Sequence, residues 1–91
     1  MAKKLTLSGN VQGVFCREYC RQNAVRLGLQ GAASNVWDGT VKILLDTDDD
    51  ALISTYIETL NKNPYGIQFN GKINNIEIED YTGSIRGDSM F

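Results

Sequence analysis

Apolar and polar residues alternate along the chain in patterns that predict six elements of regular structure. Leu5 and Leu7 alternate with polar neighbours and predict a first strand that ends at Gly9. Apolar residues then recur at helical spacing between about residues 15 and 27, at Cys16, Cys20, Ala24 and Leu27. Gly28 follows the last of them and predicts the end of the helix, since glycine adopts a left-handed conformation without a Cβ penalty.

A β-hairpin is predicted next. Residues 29–36 and 40–46 have the composition of strands, and they flank the tripeptide Trp37-Asp38-Gly39. Asp-Gly between two such segments is among the strongest short hairpin signals. The second and third strands are therefore expected to pair directly.

A second helix and a fourth strand complete the pattern. Thr47, followed three residues later by Asp50, resembles a capping box, and acidic side chains there suit the positive end of the helix dipole. Residues 63–66, Asn-Pro-Tyr-Gly, end that helix. Its apolar stripe is Leu52, Ile53, Tyr56, Ile57 and Leu60, and the fourth strand carries Ile73, Ile76 and Ile78.

This order of elements predicts the fold class. Strand, helix, strand, strand, helix, strand is typical of an α+β protein, the ferredoxin-like βαββαβ sandwich, in which two helices cover one face of an antiparallel sheet. A chain of 91 residues with 42% hydrophobic composition has room for one domain, residues 1–91, with one core. Because this architecture hosts many unrelated activities, the function has to be argued from a site.

The composition excludes several classes of site. The chain contains no His, so it has no imidazole base, no His-bound zinc and no Ser-His-Asp triad. Cys16 and Cys20 are too few for a disulfide framework or a four-thiolate metal site. The apolar segment at residues 5–7 is too short for a secretory signal or a membrane span. We therefore expect a cytoplasmic protein with no metal and no membrane partner.

The charges are distributed unevenly. The net charge is −2, which argues against a partner bound mainly through a polyanionic backbone. Residues 1–30 nevertheless carry five basic side chains and one acidic one, whereas the remaining 61 residues carry four basic and ten acidic side chains. Any anion chemistry is therefore expected in the first third of the chain.

The connection between the first strand and the first helix is the first candidate site. Gly9 and Gly13 bracket a short loop, and the following helix directs its unpaired N–H groups into it, which favours phosphate or carboxylate. Arg17 meets the unfavourable end of the helix dipole, and a bound dianion would reverse that penalty. The alternative is an ordinary turn with a solvated arginine. The glycine spacing matches neither the Walker loop nor the Rossmann motif.

Asn35, near the end of the second predicted strand, is the second candidate. An amide donates and accepts at once, which suits holding a water molecule beside a phosphate, although Asn also commonly initiates hairpins. Cys20 and Arg26 have the Cys-x5-Arg spacing of thiol phosphatases, but the intervening residues lack glycine and lie within the predicted helix. Cys16 is either a reactive thiol with a lowered pKa at the helix start or a small buried hydrophobe.

Three motifs resemble those of the acylphosphatases. They are Gly9-x-Val11-Gln12-Gly13-Val14-Phe15-x-Arg17, Ala24-x-x-Leu27-Gly28-Leu29-x-Gly31 and Asn35-x-x-Asp38-Gly39-x-Val41, within a resemblance that runs from about residue 4 to residue 45. Members of that family have the ferredoxin-like sandwich and hydrolyse the carboxyl-phosphate anhydride of small acyl phosphates without a metal or cofactor. The resemblance implies the same fold and activity for this chain.

The resemblance also implies roles for individual residues. Arg17 and Asn35 would be catalytic, with Arg17 binding the phosphate and Asn35 positioning the attacking water. The partners implied are a small acyl phosphate as substrate and inorganic phosphate as product and inhibitor, and we expect a monomer with no cofactor and no nucleic acid. The phosphate would be held in a cradle formed by the amides of Val11, Gln12, Gly13, Val14, Phe15, Cys16 and Arg17.

Three features depart from the family pattern. Cys16 precedes Arg17 where an aromatic residue is usual, Ala33-Ser34 stands where many members carry a basic residue before the asparagine, and the chain stops at Phe91 where others close with a short edge strand. A non-catalytic or degenerate anion-binding module of the same fold is therefore the alternative. An RNA-binding sandwich is disfavoured because residues 4–8 and 40–46 contain no aromatic residue. A domain of a larger maturation enzyme is disfavoured by the chain length.

Overall fold

The computed structural model describes residues 2–91, and it confirms the six predicted elements in type and order while adding a seventh. The strands are β1 (Ala2–Asn10), β2 (Gly31–Asn35), β3 (Val41–Leu45), β4 (Lys72–Tyr81) and β5 (Ser89–Met90), and the helices are α1 (Cys16–Arg26) and α2 (Asp50–Lys62). The ferredoxin-like α+β class is confirmed. Within residues 2–91, neither helix has the length and apolar character needed to cross a membrane.

The five strands form one antiparallel sheet in the order β4-β1-β3-β2-β5. Leu5 pairs with Ile43 of β3 on one side and with Ile78 of β4 on the other, so apolar residues align across three strands. The register of β1 against β4 shifts between Ser8 and Gly9. Pairing with β4 resumes beyond this irregularity, where Asn10 is opposite Lys72, so β1 ends at Asn10 and not at Gly9 as predicted.

The core lies between one sheet face and the two helices, and two buried tyrosines link the helices. The Tyr19 hydroxyl donates to the carbonyl oxygen of Leu60 at 2.5 Å, and the Tyr56 hydroxyl donates to that of Cys20 at 2.8 Å. Burial raises the pKa of Tyr19 to about 12 and the pKa of Tyr56 well above its usual value. Both phenols therefore stay neutral and keep donating across the physiological pH range.

The start of α2 differs from the prediction. Asp49, not Thr47, is the N-cap: its Oδ1 accepts from the backbone N–H groups of Ala51 and Leu52 at 3.1 and 3.2 Å. Thr47 Oγ1 instead accepts from the N–H of Asp49 at 3.2 Å. The reason is that Asp49 is the last residue with extended backbone angles, so its side chain is the one placed over the first helical turn.

The sheet also contains β5, a short edge strand that the sequence did not predict. In β5, Ser89 pairs with Ala33 and Met90 pairs with Ala32 of β2. Before it, Gly87 lies so close to β2 that a Cβ there would stand 2.5 Å from Ser34 Oγ. The prediction was wrong because two paired residues are too few for a detectable alternation of apolar and polar positions.

We expect Asp49→Ala to lower the free energy of unfolding by about 1 kcal/mol, because two helix N–H groups lose their acceptor. Thr47→Ala should cost less than about 0.5 kcal/mol, as is usual for a surface substitution. Urea denaturation of both variants beside the parent checks the difference. A larger loss in Thr47→Ala would contradict the assignment of the cap.

Candidate active site

The loop of residues 11–15, between β1 and α1, alternates in the sign of φ, as anion-binding nests do. Gly13 and Phe15 have φ angles of +72° and +64°, and Val14 between them does not have a positive φ. Alternation of right- and left-handed residues turns successive N–H groups toward one point. Phe15 pays on the order of 1 kcal/mol for this conformation, because its Cβ crowds the backbone in the left-handed region.

The N-terminus of α1 adds to the same arrangement. Phe15 is the N-cap, and no side chain caps the helix. The first helical hydrogen bond runs from the N–H of Tyr19 to the carbonyl oxygen of Phe15 at 2.9 Å. The N–H groups of residues 16–18 thus have no acceptor within the helix and point back toward the loop, at the positive end of the helix dipole.

Hydrogen bonds hold the loop from both sides. The side-chain amide of Gln12 donates to the carbonyl oxygens of Val36 and Thr40, at 2.6 and 2.9 Å, in the β2–β3 hairpin. On the other side, the N–H of Asn70 donates to the carbonyl oxygen of Val14 at 3.3 Å. The loop is therefore tied both to the hairpin and to the segment that precedes β4.

An open cavity of about 300 Å³ lies where the loop, α1 and the end of β2 meet. Arg17 of α1 and Asn35 of β2 both line this cavity, although most of α1, a turn and most of β2 lie between them in the sequence. Its lining residues are Val11, Gly13, Phe15, Cys16, Arg17, Glu18, Asn35 and Ser89.

A carboxylate that the sequence did not single out lies beside both candidate residues. Asp88 Oδ2 is 3.5 Å from Arg17 Nη1 and accepts from the backbone N–H of Asn35 at 3.2 Å. The N–H of Asp88 in turn donates to Ser34 Oγ at 3.0 Å. The side chains of Arg17 and Asp88 are 39% and 53% exposed, so water screens their attraction.

A family model described as acylphosphatase matches residues 3–90. The chain belongs to the acylphosphatase family. It is 41% identical over 70 residues to an acylphosphatase of Rhizobium etli, covering 77% of this chain and 73% of that protein. The resemblance inferred from residues 4–45 thus extends into β4 and β5.

Solved structures of acylphosphatases share the fold. That of the Coxiella burnetii protein is 28% identical, with a TM-score of 0.70 over 91% of this chain and 82% of that chain. The crystal structure of the Bacillus subtilis protein has a TM-score of 0.72 over 94% of this chain and 93% of that one, at 24% identity.

The seven residues whose amides the acylphosphatase motif assigns to phosphate binding differ in where their side chains lie. Five of the seven, Val11, Gly13, Phe15, Cys16 and Arg17, line the cavity. The Gln12 side chain instead anchors the loop to the hairpin, and Val14 is half-buried against the core. Glu18, Asp88 and Ser89 were not predicted as site residues. Of the three, only Glu18 could have been found in the sequence, because it is an acidic residue next to Arg17.

Glu18 carries a negative charge at the cavity that neighbouring side chains already engage. Arg21 donates to it through Nε and Nη2, at 2.7 and 2.6 Å, and Gln22 Nε2 donates at 3.2 Å. The hydrogen bond from Arg21 lowers the pKa of Glu18. Arg21 is therefore paired with Glu18, whereas Arg17 lines the cavity.

The two thiols belong mainly to the core. Cys16 and Cys20 are buried and unlinked, with their Sγ atoms 3.9 Å apart. The hydrogen bond between them lowers the pKa of Cys16, and the same bond together with burial raises the pKa of Cys20 well above its usual value. In the part of the chain that the structure describes, no group of three or more Cys, Asp or Glu side chains is placed to hold a metal ion.

We expect Gln12→Ala to loosen the loop, because two hydrogen bonds to the hairpin are lost. The amides of residues 13–15 should exchange with solvent faster, and the free energy of unfolding should fall by about 1 to 2 kcal/mol. Gln12→Glu should behave similarly, since an ionised carboxylate cannot donate. Gln68→Ala, an exposed glutamine outside these contacts, is the matched control for hydrogen-exchange measurements. Unchanged exchange in Gln12→Ala would contradict the anchoring role.

Proposed function

We propose that this protein is an acylphosphatase that hydrolyses the carboxyl-phosphate anhydride of small acyl phosphates to a carboxylate and inorganic phosphate. The observation that carries the proposal is that Arg17, Asn35 and the left-handed loop meet at one cavity in a chain of this family. Inorganic phosphate, as the product, would occupy the same place and act as an inhibitor.

Binding of the phosphoryl group rests on charge and on oriented dipoles. The loop N–H groups and the N-terminus of α1 would surround its oxygens, and the guanidinium of Arg17 can donate to two of them at once. These donors are held before the substrate arrives, by Gln12 on one side and by the helix on the other. Such preorganised donors stabilise the charge that develops during phosphoryl transfer without further rearrangement.

Asn35 would hold the attacking water. Its side chain is exposed to the cavity, while its backbone is fixed in β2 by pairing with Val41. The amide oxygen accepts a hydrogen bond from the water, and the NH₂ group donates to a phosphate oxygen. The water oxygen forms the new bond to phosphorus, the bridging P–O bond breaks with its electrons on the carboxylate, and a phosphate oxygen takes the proton of the water.

The absence of His from the chain fits this reaction. The leaving group is a carboxylate whose conjugate acid has a pKa of about 4 to 5, by analogy with Asp and Glu, so it departs without a general acid. A phenolate, whose conjugate acid has a pKa of about 10 by analogy with Tyr, would leave poorly from this site. The proposed site is therefore selective for acid anhydrides over phosphomonoesters.

We propose further that residues 1–91 act as one acylphosphatase domain, as a monomer in the cytoplasm. The family match over residues 3–90 supports a single domain. One chain supplies both Arg17 and Asn35, which supports a monomer. The unlinked thiols of Cys16 and Cys20 suit a reducing compartment.

The purified protein should hydrolyse acetyl or benzoyl phosphate in the presence of EDTA, and its kcat/KM for phenyl phosphate should be lower by roughly 100-fold or more because of the poorer leaving group. Release of inorganic phosphate measures both reactions. A folded preparation that binds phosphate but hydrolyses no acyl phosphate would instead support the alternative, a non-catalytic anion-binding module.

Substitutions of Arg17 and Asn35 should separate binding from turnover. Arg17→Ala should weaken inhibition by inorganic phosphate and lower kcat/KM by about 1,000-fold, whereas Asn35→Ala should lower kcat by roughly 100-fold or more with phosphate affinity nearly kept. Arg26→Ala is the matched control, because it removes the same charge from the far end of α1, where the guanidinium lies 4.7 Å over the ring of Tyr65. If Asn35→Ala weakened phosphate inhibition and left kcat intact, the water-holding role would be wrong.

A further inference from the structure

The carboxylate of Asp88 has no part in the reaction as proposed. It nevertheless contacts Arg17 and Asn35, the two residues to which the reaction is assigned. Its Oδ2 is within 3.5 Å of Arg17 Nη1 and accepts from the N–H of Asn35. Since the leaving group requires no general acid and a phosphate oxygen takes the proton, an extra carboxylate has no proton to move. A negative charge here also opposes the binding of a dianion.

The position of this carboxylate is fixed by the sheet. Asp88 immediately precedes β5, which pairs with β2, and its own N–H donates to Ser34 Oγ. Its carboxylate is thereby brought to the end of β2, where it accepts a hydrogen bond from the backbone N–H of Asn35 at 3.2 Å. The sheet therefore fixes the backbone position of Asp88, while its side chain is exposed.

A ligand can replace Asp88 in its ion pair with Arg17. Both side chains are partly exposed, and at 3.5 Å the contact is an ion pair without the short distance of a strong charge-assisted hydrogen bond. The oxygen of Asp88 lies against the guanidinium, the group that a phosphate oxygen would also approach. Glu18, the carboxylate that lines the cavity, is engaged by Arg21 and Gln22 and does not compete in this way.

We propose that Asp88 sets the affinity of the site: its carboxylate pairs with Arg17 when no phosphate is bound and gives way to the phosphoryl group when one binds. Both the substrate and inorganic phosphate then bind less tightly than the loop and Arg17 alone would allow. Release of the product is faster for the same reason. The kinetic part of this inference rests on the proposed function, whereas the competition for Arg17 does not.

The test is Asp88→Asn, which keeps the shape of the side chain and an acceptor for the N–H of Asn35 but removes the charge. We expect the Kd for inorganic phosphate, measured by isothermal titration calorimetry, to fall roughly 3- to 10-fold. KM for acetyl phosphate should fall by a similar factor, and kcat should not rise. An unchanged or higher Kd would overturn the proposal.

Asp88→Ala distinguishes removal of charge from a purely structural role. If the charge is what matters, Ala should tighten phosphate binding as Asn does. If Asp88 only positions Arg17 or Asn35, Ala should weaken phosphate binding and lower kcat while Asn is close to the parent, and the proposal is overturned. Circular dichroism and urea denaturation establish that each variant is folded before its affinity is compared.

Asp46→Asn is the matched control for net charge. Asp46 is exposed just past the end of β3 that lies away from the cavity, about 17 Å along the strand from Val41. Its substitution should leave the Kd for phosphate unchanged within about 1.5-fold, since at that distance salt screens the charge. Equal tightening in both Asn variants would reflect long-range charge and would overturn the role assigned to Asp88.

The outcomes also separate this inference from the proposed function. If the parent binds phosphate without hydrolysing acyl phosphates, and Asp88→Asn binds it more tightly, the function is wrong and the competition stands. If the parent hydrolyses acyl phosphates and Asp88→Asn fails to tighten phosphate, the function stands and the inference is wrong. If neither the parent nor Asp88→Asn binds phosphate, the inference is wrong, and the function is wrong as well if the parent hydrolyses no acyl phosphate.

Discussion

The arrangement of the candidate site depends on the position of β3 between β1 and β2. Both strands pair antiparallel with β3, so they run in the same direction and end at the same edge of the sheet. Val41 is opposite Leu7 on one side and Asn35 on the other. Two strand spacings, about 10 Å, therefore separate the end of β2 from the strand that leads into the loop. Any slip of this register would separate the loop from Asn35.

The strained conformation of the loop is stable because the packing of α1 beside it offsets the strain. Phe15 adopts a left-handed conformation, and the helix that begins after it is fixed by Tyr19 one turn later. The ring of Tyr19 stacks on Phe69 with 4.6 Å between centroids, and its hydroxyl donates to the carbonyl oxygen of Leu60. Packing of the first turn thus offsets the local strain and fixes the direction of the free N–H groups. The buried face of α1 in this way determines the geometry of its exposed end.

Local signals in the sequence were sufficient for most of the fold. Leu5 and Leu7, the apolar spacing of α1 and the Asp-Gly turn each act over a few residues, and the structure has the expected element in every case. The cap of α2 was assigned two residues too early, because several neighbouring oxygen-bearing side chains were equally suitable and only the backbone angles select Asp49.

Parts of the site could not be predicted, because they depend on contacts between distant residues. Arg17 and Asn35 stood out through motifs, but Asp88 reaches them only after β5 has paired with β2. Only the backbone amide of Gln12 was assigned a role, and nothing in the sequence indicated that its side chain donates to carbonyl groups of the hairpin. No periodicity reports such contacts, since a periodic pattern indicates which face of an element is buried and not which groups meet across the molecule.

The pairing of β1 with β4 has a consequence for how the chain reaches this structure. Ala2 pairs with Tyr81, so the longest ladder of the sheet joins residues that are 79 positions apart in the sequence. Bringing such segments together costs chain entropy before any pairing compensates for it, and contacts between residues far apart in the sequence slow folding. The two helices and the hairpin can form from nearby residues, whereas β1 and β4 can pair only when the largest loop of the chain closes.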